Sequence, residues 1–244
     1  MTPADRRYTM MQVLPIGTLR ALALLAAGLM SQAAAAHNPR PEILAPGWGI
    51  LSYEAPAPGT YRLPPIMEAV DGRVLRADGT PVSLFDLMGD RFVLLSFVYT
   101  RCNDVNGCPL AKAVFHLVRS RLEERPDLAG ATRLVSMSFD PDNDTPEVMR
   151  AYGPQKNDGN VEWALLTTRD RPDLAPILDG YGQHTLREYD HDGEYTGEFA
   201  HLLRVFLIDR KRRVRNIYSA GFLHPDILMN DLETLRLESD SGSS

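Results

Sequence analysis

The chain has two cysteines, Cys102 and Cys108, with five residues between them in the run Tyr-Thr-Arg-Cys-Asn-Asp-Val-Asn-Gly-Cys-Pro-Leu. That run follows the most apolar stretch after the N-terminal segment, Phe92 to Tyr99. A strand that ends in a Cys-bearing loop and opens into a helix puts both thiols at a sheet's carboxyl edge. There the positive end of a helix stabilises thiolate. Three chemistries fit such a pair: a structural disulfide, thiol–disulfide exchange, and binding of a soft metal ion.

The surrounding pattern supplies the elements that must hold the loop. Apolar residues at 110, 113, 114, 117, 118 and 122 mark one stripe of an amphipathic helix, and Arg133 to Phe139 follows as a strand. Together with residues 92–99 they form a βαβ unit. Upstream, Arg73 to Arg76 is a short strand, Asp78-Gly79 a turn, and Val82 to Met88 lead into the apolar strand. Downstream, Thr145 is placed to cap a helix beginning at Pro146. Val161 to Thr167 reads as a strand and Pro172 to Tyr181 as a helix. Leu202 to Ile208 is a nearly continuous apolar run whose hairpin partner is Val214 to Tyr218, across the turn Arg210-Lys-Arg-Arg213. Pro225 starts a last helix with 227, 228, 232 and 235 on one face, and a disordered tail is expected over 239–244.

The first 36 residues read as a secretory signal peptide. Arg6, Arg7 and Arg20 precede an uncharged apolar stretch from Ala21 to Met30, then Ser-Gln and four alanines at a cleavage site. A retained membrane tether is the competing reading, disfavoured because the stretch is mostly Ala and a span wants about 20 strongly apolar residues. Export places the chain in a periplasm, where a cysteine pair can oxidise and needs a dedicated, thioredoxin-like reductant to remain dithiol. Removing the leader leaves 23 basic and 31 acidic side chains, a net charge of −8, which excludes a general attraction to nucleic acid or anionic lipid. Residues 37–65 carry prolines at 39, 41, 46, 56, 58, 64 and 65 and read as an extended arm that links or wraps the domain. Residues 66–238 form one domain.

A βαβ unit, a helical insertion and a ββα unit, with a cysteine loop after the first core strand, is the order of a thioredoxin-like α/β domain: a central mixed sheet flanked by helices. Two features of thioredoxin-type oxidoreductases are missing. The cysteines are not spaced Cys-x-x-Cys, and no proline precedes the strand at 202–208, where His201 stands instead. The peroxiredoxin pattern Thr-x-x-Cys is also absent, Thr100 being two residues before Cys102.

The combination resembles the Sco/SenC family over roughly residues 61–237. The motifs that carry the likeness are Phe-Val-Tyr-Thr-Arg-Cys, Cys108-Pro-Leu, Ser136-Met-Ser-Phe-Asp-Pro-Asp-Asn-Asp-Thr-Pro-Glu147, and His201 followed by Val205-Phe-Leu-Ile-Asp209. The resemblance implies copper held by Cys102, Cys108 and His201, and service as a metallochaperone to an apo-cuproprotein such as a subunit of cytochrome c oxidase, without enzymic turnover. It departs from the family in its loop, five residues where three are usual. Two thiolates and an imidazole suit Cu(I), and Cu(II) is a further state to expect; zinc usually wants a fourth ligand. The alternative is a periplasmic thiol:disulfide oxidoreductase that reduces target cysteines, with Cys102 attacking and Cys108 resolving. In the copper reading, a Cys102–Cys108 disulfide is the oxidised, metal-free state. A monomer is expected.

The remaining histidines read as structural or exposed. His116 lies on the polar side of its helix, His184 and His191 in a loop and a turn, and His224 before the helix-starting Pro225. His37 becomes a Cu(II) candidate only if cleavage leaves it at or near the new N-terminus. Asp140, Asp142 and Asp144 lack the Gly and distal Glu of a calcium loop. They read as helix-capping residues, Asp140 with a supporting part at the site.

Overall fold

The strand Phe92–Val98 is buried at every position, and it is the axis of the molecule. In this computed structural model, which describes residues 43–155 and 159–241, it is β4 of ten strands. Before it come β1 (Met67–Glu68), β2 (Arg73–Arg76), β3 (Pro81–Ser83) and α1 (Leu84–Met88), the last capped by the Ser83 hydroxyl. After it come α2 (Cys108–Glu123), α3 (Pro126–Ala129), β5 (Thr132–Ser138), α4 (Pro146–Tyr152), β6 (Glu162–Thr167) and α5 (Arg171–Gly180). The chain closes with β7 (Thr185–Tyr189), β8 (Tyr195–His201), β9 (Val205–Ile208), β10 (Arg213–Tyr218) and α6 (Pro225–Ser241).

Eight strands make one mixed sheet in the order β1-β10-β9-β4-β5-β6-β2-β3. β4, β5 and β6 run parallel, while β9 is antiparallel to β4, with Ser96 opposite Val205. β4 and β5 are parallel and covered on both faces, so both are buried at every position, β4 as a nearly continuous apolar run and β5 with Thr132, Arg133, Ser136 and Ser138 among its buried residues. This is the mixed α/β, thioredoxin-like sheet expected from the order of elements.

Some elements differ from expectation. The buried stripe of α2 is Leu110, Ala111, Val114, Phe115, Val118 and Leu122, so Leu117 faces outward and Phe115 inward. The run expected to be one strand from Leu202 divides: residues 205–208 are β9, and Leu202–Arg204 cross from one sheet to the other. That crossing is held by Gln183 Nε2 donating to the Leu202 carbonyl at 2.8 Å and by Arg204 donating to the Gly182 carbonyl at 2.7 Å. β7 and β8 form a separate two-stranded sheet, joined by the turn at Asp190-His-Asp-Gly193 with Gly193 at φ +81°. The hairpin was not expected, since most of its side chains are exposed and leave no alternation to read.

The last helix corrects the expected tail. It continues through Ser239 and Asp240 to Ser241, because Ser239 Oγ donates to the Leu235 carbonyl and Arg236 pairs with Asp240 at 2.8 Å.

Residues from Leu44 onward form one unit. The arm lies along it: Gly59 N donates to Thr234, Tyr61 Oη to Asp231, and Arg215 to the carbonyl of Leu63. Among its described residues the one regular element is a 3-10 turn at Pro46–Trp48. The leader assigned to residues 1–36, and His37, lie outside the described residues. Among those described, no helix is long and apolar enough to cross a membrane.

Candidate metal centre

Antiparallel pairing of β4 with β9 puts the end of one strand beside the start of the other. Residues just past Val98 therefore meet residues just before Val205. There the Sγ atoms of Cys102 and Cys108 and a ring nitrogen of His201 lie within 4.8 Å of one another. His201 Nε2 is 3.7 Å from Cys108 Sγ. Both cysteines are free thiols, Cys102 half-buried and Cys108 buried. Cys108 is the first residue of α2, with Pro109 behind it pre-set for the helix's first turn.

Each ligand candidate is held by its own support. Thr100, two residues before Cys102, donates its hydroxyl to Asp144 at 2.5 Å and its backbone N–H to the same carboxylate at 3.1 Å. Ser138 Oγ adds a third bond to Asp144 at 2.6 Å. Arg101 pairs with buried Asp140 at 3.2 Å. Asp140 and Asp144 thus tether the cysteine loop rather than cap α4, whose cap is the Thr145 hydroxyl. Burial pushes the Asp144 carboxyl up in pKa against the lowering effect of these donors.

His201 is oriented from behind. Its Nδ1 lies 3.1 Å from the Phe199 carbonyl, which can only accept, so Nδ1 carries a proton and Nε2 faces the sulfurs. Tyr99 and Phe139 flank the ring at centroid distances of 5.5 and 5.2 Å. Burial alone would lower the imidazole's pKa, but the bonds to Cys102 and the Phe199 carbonyl outweigh it and raise it.

The two thiols are made unequal. A hydrogen bond from Cys108 draws Cys102 far below the ordinary thiol range; burial opposes this, and His201 and the backbone N–H groups of Cys108 and Asp104 assist it. The same bond and deep burial push Cys108 well above that range. Of the two, Cys102 is the more acidic thiol and Cys108 the less, with the imidazole beside them. This donor set, soft sulfur with one borderline nitrogen, matches a soft monovalent ion of low coordination number. A cleft of about 340 Å³ opens beside His201, lined by Tyr99, Asn103, Asp104 and Glu198 among others.

The other histidines stand apart. His116, His184 and His191 are exposed. His191 belongs to an exposed turn with Asp190 and Asp192. His224 is buried, between the Gly49 carbonyl and the N–H of Asp226. The packing of Tyr99, Phe139 and Phe199 on one another beside the site is not legible in local pattern; its trace in sequence is an aromatic residue just past β4, one just past β5 and one inside β8.

A family model described as SCO1/SenC matches residues 73–236. Similar solved structures include Arabidopsis thaliana ScoI with copper bound, 16% identical at a TM-score of 0.56, covering 70% of this chain and 98% of that one. The apo Sco1 protein from Thermus thermophilus is 26% identical at 0.54, covering 72% and 95%. BsSco, described as a member of the Sco family of cytochrome c oxidase assembly proteins with a disulfide switch, is 20% identical at 0.55, covering 71% and 96%. No curated protein sequence matches the chain.

Proposed function

The chain belongs to the SCO1/SenC family, and from that premise we propose that it is a copper-binding metallochaperone of the cell envelope. It takes one copper ion through Cys102, Cys108 and His201 and passes it by thiol and imidazole exchange to an apo-cuproprotein, with a cytochrome c oxidase subunit as the recipient to test first. The observation that carries this reading is the convergence of two sulfurs and one oriented imidazole nitrogen within 4.8 Å. Copper-bound ScoI and the assembly role stated for BsSco support it. Cu(I) is the state the donors favour, because a thiolate, a thiol that loses its proton on binding, and a neutral imidazole give it a soft, low-coordinate site.

The leader is read as directing export, so the protein works in a periplasm beside a thioredoxin-like reductant that returns the pair to dithiol. The test is anaerobic titration of the reduced full-length protein with Cu(I) against a chromophoric chelator, beside His201→Ala and Cys108→Ser. One-to-one binding weakened in both variants is expected; binding indifferent to His201 removes that ligand from the site.

A second reading has its own observation. A half-buried thiolate at Cys102 next to a buried thiol at Cys108 is the attacking and resolving arrangement of a thiol:disulfide oxidoreductase. Fast exchange with a partner disulfide in a protein that binds no Cu(I) would select it.

A further inference from the structure

The loop between the cysteines is held from outside itself. Two bonds within it shape one end, Asn106 N to Asp104 Oδ1 and Gly107 N to the Asp104 carbonyl, both 2.9 Å. Its centre is gripped by the arm: Ala45 N donates to Asn106 Oδ1 at 2.7 Å, and Trp48 Nε1 donates to the Val105 carbonyl at 3.1 Å.

The arm is itself seated independently of that loop. Gly47 is buried so closely that a Cβ there would lie 2.2 Å from the Leu223 carbonyl oxygen and 3.0 Å from Leu110 and Val114 of α2. The next residue but one, Gly49, offers its carbonyl to His224 Nε2 at 3.2 Å. The arm is thus docked on the helix that carries Cys108, and from there it reaches the loop that separates Cys108 from Cys102.

We infer that residues 45–49 clamp the inter-cysteine loop, and that Trp48 and Asn106 are positioning residues that hold Cys102 and Cys108 at ligand spacing although neither touches the ion. A five-residue connection ordered in advance does not lose its freedom when both sulfurs close on one ion, so the clamp raises affinity by preorganisation. Only the affinity half of this inference rests on the copper-binding reading; the ordering of the loop does not.

Two variants remove the clamp with little else. Ala45→Pro deletes the donor to Asn106, and the native φ of −63° at that residue is the angle proline requires. Trp48→Phe deletes the indole N–H and keeps an aromatic ring. In the reduced, metal-free, full-length protein, amides of residues 103–107 should exchange with deuterium about tenfold faster in the double variant, two hydrogen bonds being worth a decade or more. Cu(I) affinity should fall about tenfold, which is 1.4 kcal/mol, with the unfolding midpoint of the whole protein lowered by no more than the loss of two hydrogen bonds accounts for. Unaltered exchange in residues 103–107 overturns the clamp. Faster exchange with unaltered Cu(I) affinity overturns the positioning role. If the unsubstituted protein takes up no Cu(I), the copper reading fails, and the exchange rates alone then decide for or against the clamp.

Discussion

The hydroxyl of Thr100 lies 2.5 Å from Asp144 Oδ1, and the Thr100 backbone N–H lies 3.1 Å from Oδ2 of the same buried carboxylate. One side chain from the loop after β5 therefore fixes the backbone two residues before Cys102, and does so from the same sheet edge. Asp144→Ala leaves the Thr100 and Ser138 donors unanswered in a buried site. It should cost about 3 kcal/mol in urea unfolding, and Asp144→Asn less, since an amide oxygen still accepts. Equal stability of Asp144→Ala and the parent protein would deny the tether.

The inequality of the two thiols predicts a pH profile for alkylation. Hydrogen bonds from Cys108 and His201 hold the Cys102 thiol well below its ordinary value. In the reduced apo-protein its rate with iodoacetamide should therefore stay flat through the neutral range and fall only in acid, as the thiolate protonates. Cys108, pushed up and buried, should remain unmodified. His201→Ala removes one of the lowering bonds, so the midpoint should climb toward the ordinary value of about 8.5. A parent midpoint already near that value would remove the assigned asymmetry.

At the opposite end of the sheet, Asp209 accepts from Arg213 at 2.7 Å and from buried Arg215 at 2.9 Å. Burial pushes its pKa up, but these donors outweigh burial and hold it below the ordinary carboxylate value. With the folded pKa depressed, the stabilisation is full above the unfolded value of about 3.9 and is lost as pH falls through the lower folded value. Asp209→Asn should cost about 3 kcal/mol near neutrality, and the gap from the parent should close in acid. Urea midpoints of both proteins at neutral and strongly acidic pH check this; a gap that persists in acid would assign the loss to shape rather than charge.

Gly47 predicts how firmly the arm is docked. A methyl at that position meets the backbone of Leu223, which cannot turn aside as a side chain can. Gly47→Ala should cost about 2 kcal/mol by overpacking, seen as a lower midpoint in thermal unfolding. An unchanged midpoint would mean that the arm lifts off without loss.

Local pattern explains which elements were legible. The first strand of the βαβ unit, its helix and β5 announce themselves because burial on a continuous face imposes period or apolarity on neighbouring residues. The α4 cap at Thr145 is likewise a matter of adjacent residues. Hairpin β7–β8 had no such signature, because solvent accepts almost any side chain. The helical turn over 239–241 left no local signature because Ser and Asp are poor helix formers in isolation, whereas the bonds to Leu235 and Arg236 extend a helix already docked.

From sequence alone came the pair Cys102 and Cys108, close in the chain after a buried strand, and with them the choice among disulfide, redox and soft-metal chemistry. His201 stood out only through family resemblance; by residue type and local pattern it ranked with His116, His184, His191 and His224. The tertiary structure brings one of them, His201, to the cysteines, because antiparallel pairing of β9 with β4 returns a residue 93 positions along the chain to within 3.7 Å of Cys108 Sγ. It also set the opposite shifts in acidity of the two thiols and the grip of Ala45 and Trp48 on the loop. Those depend on which groups share a desolvated space, a property of long-range packing that no local run of residues encodes.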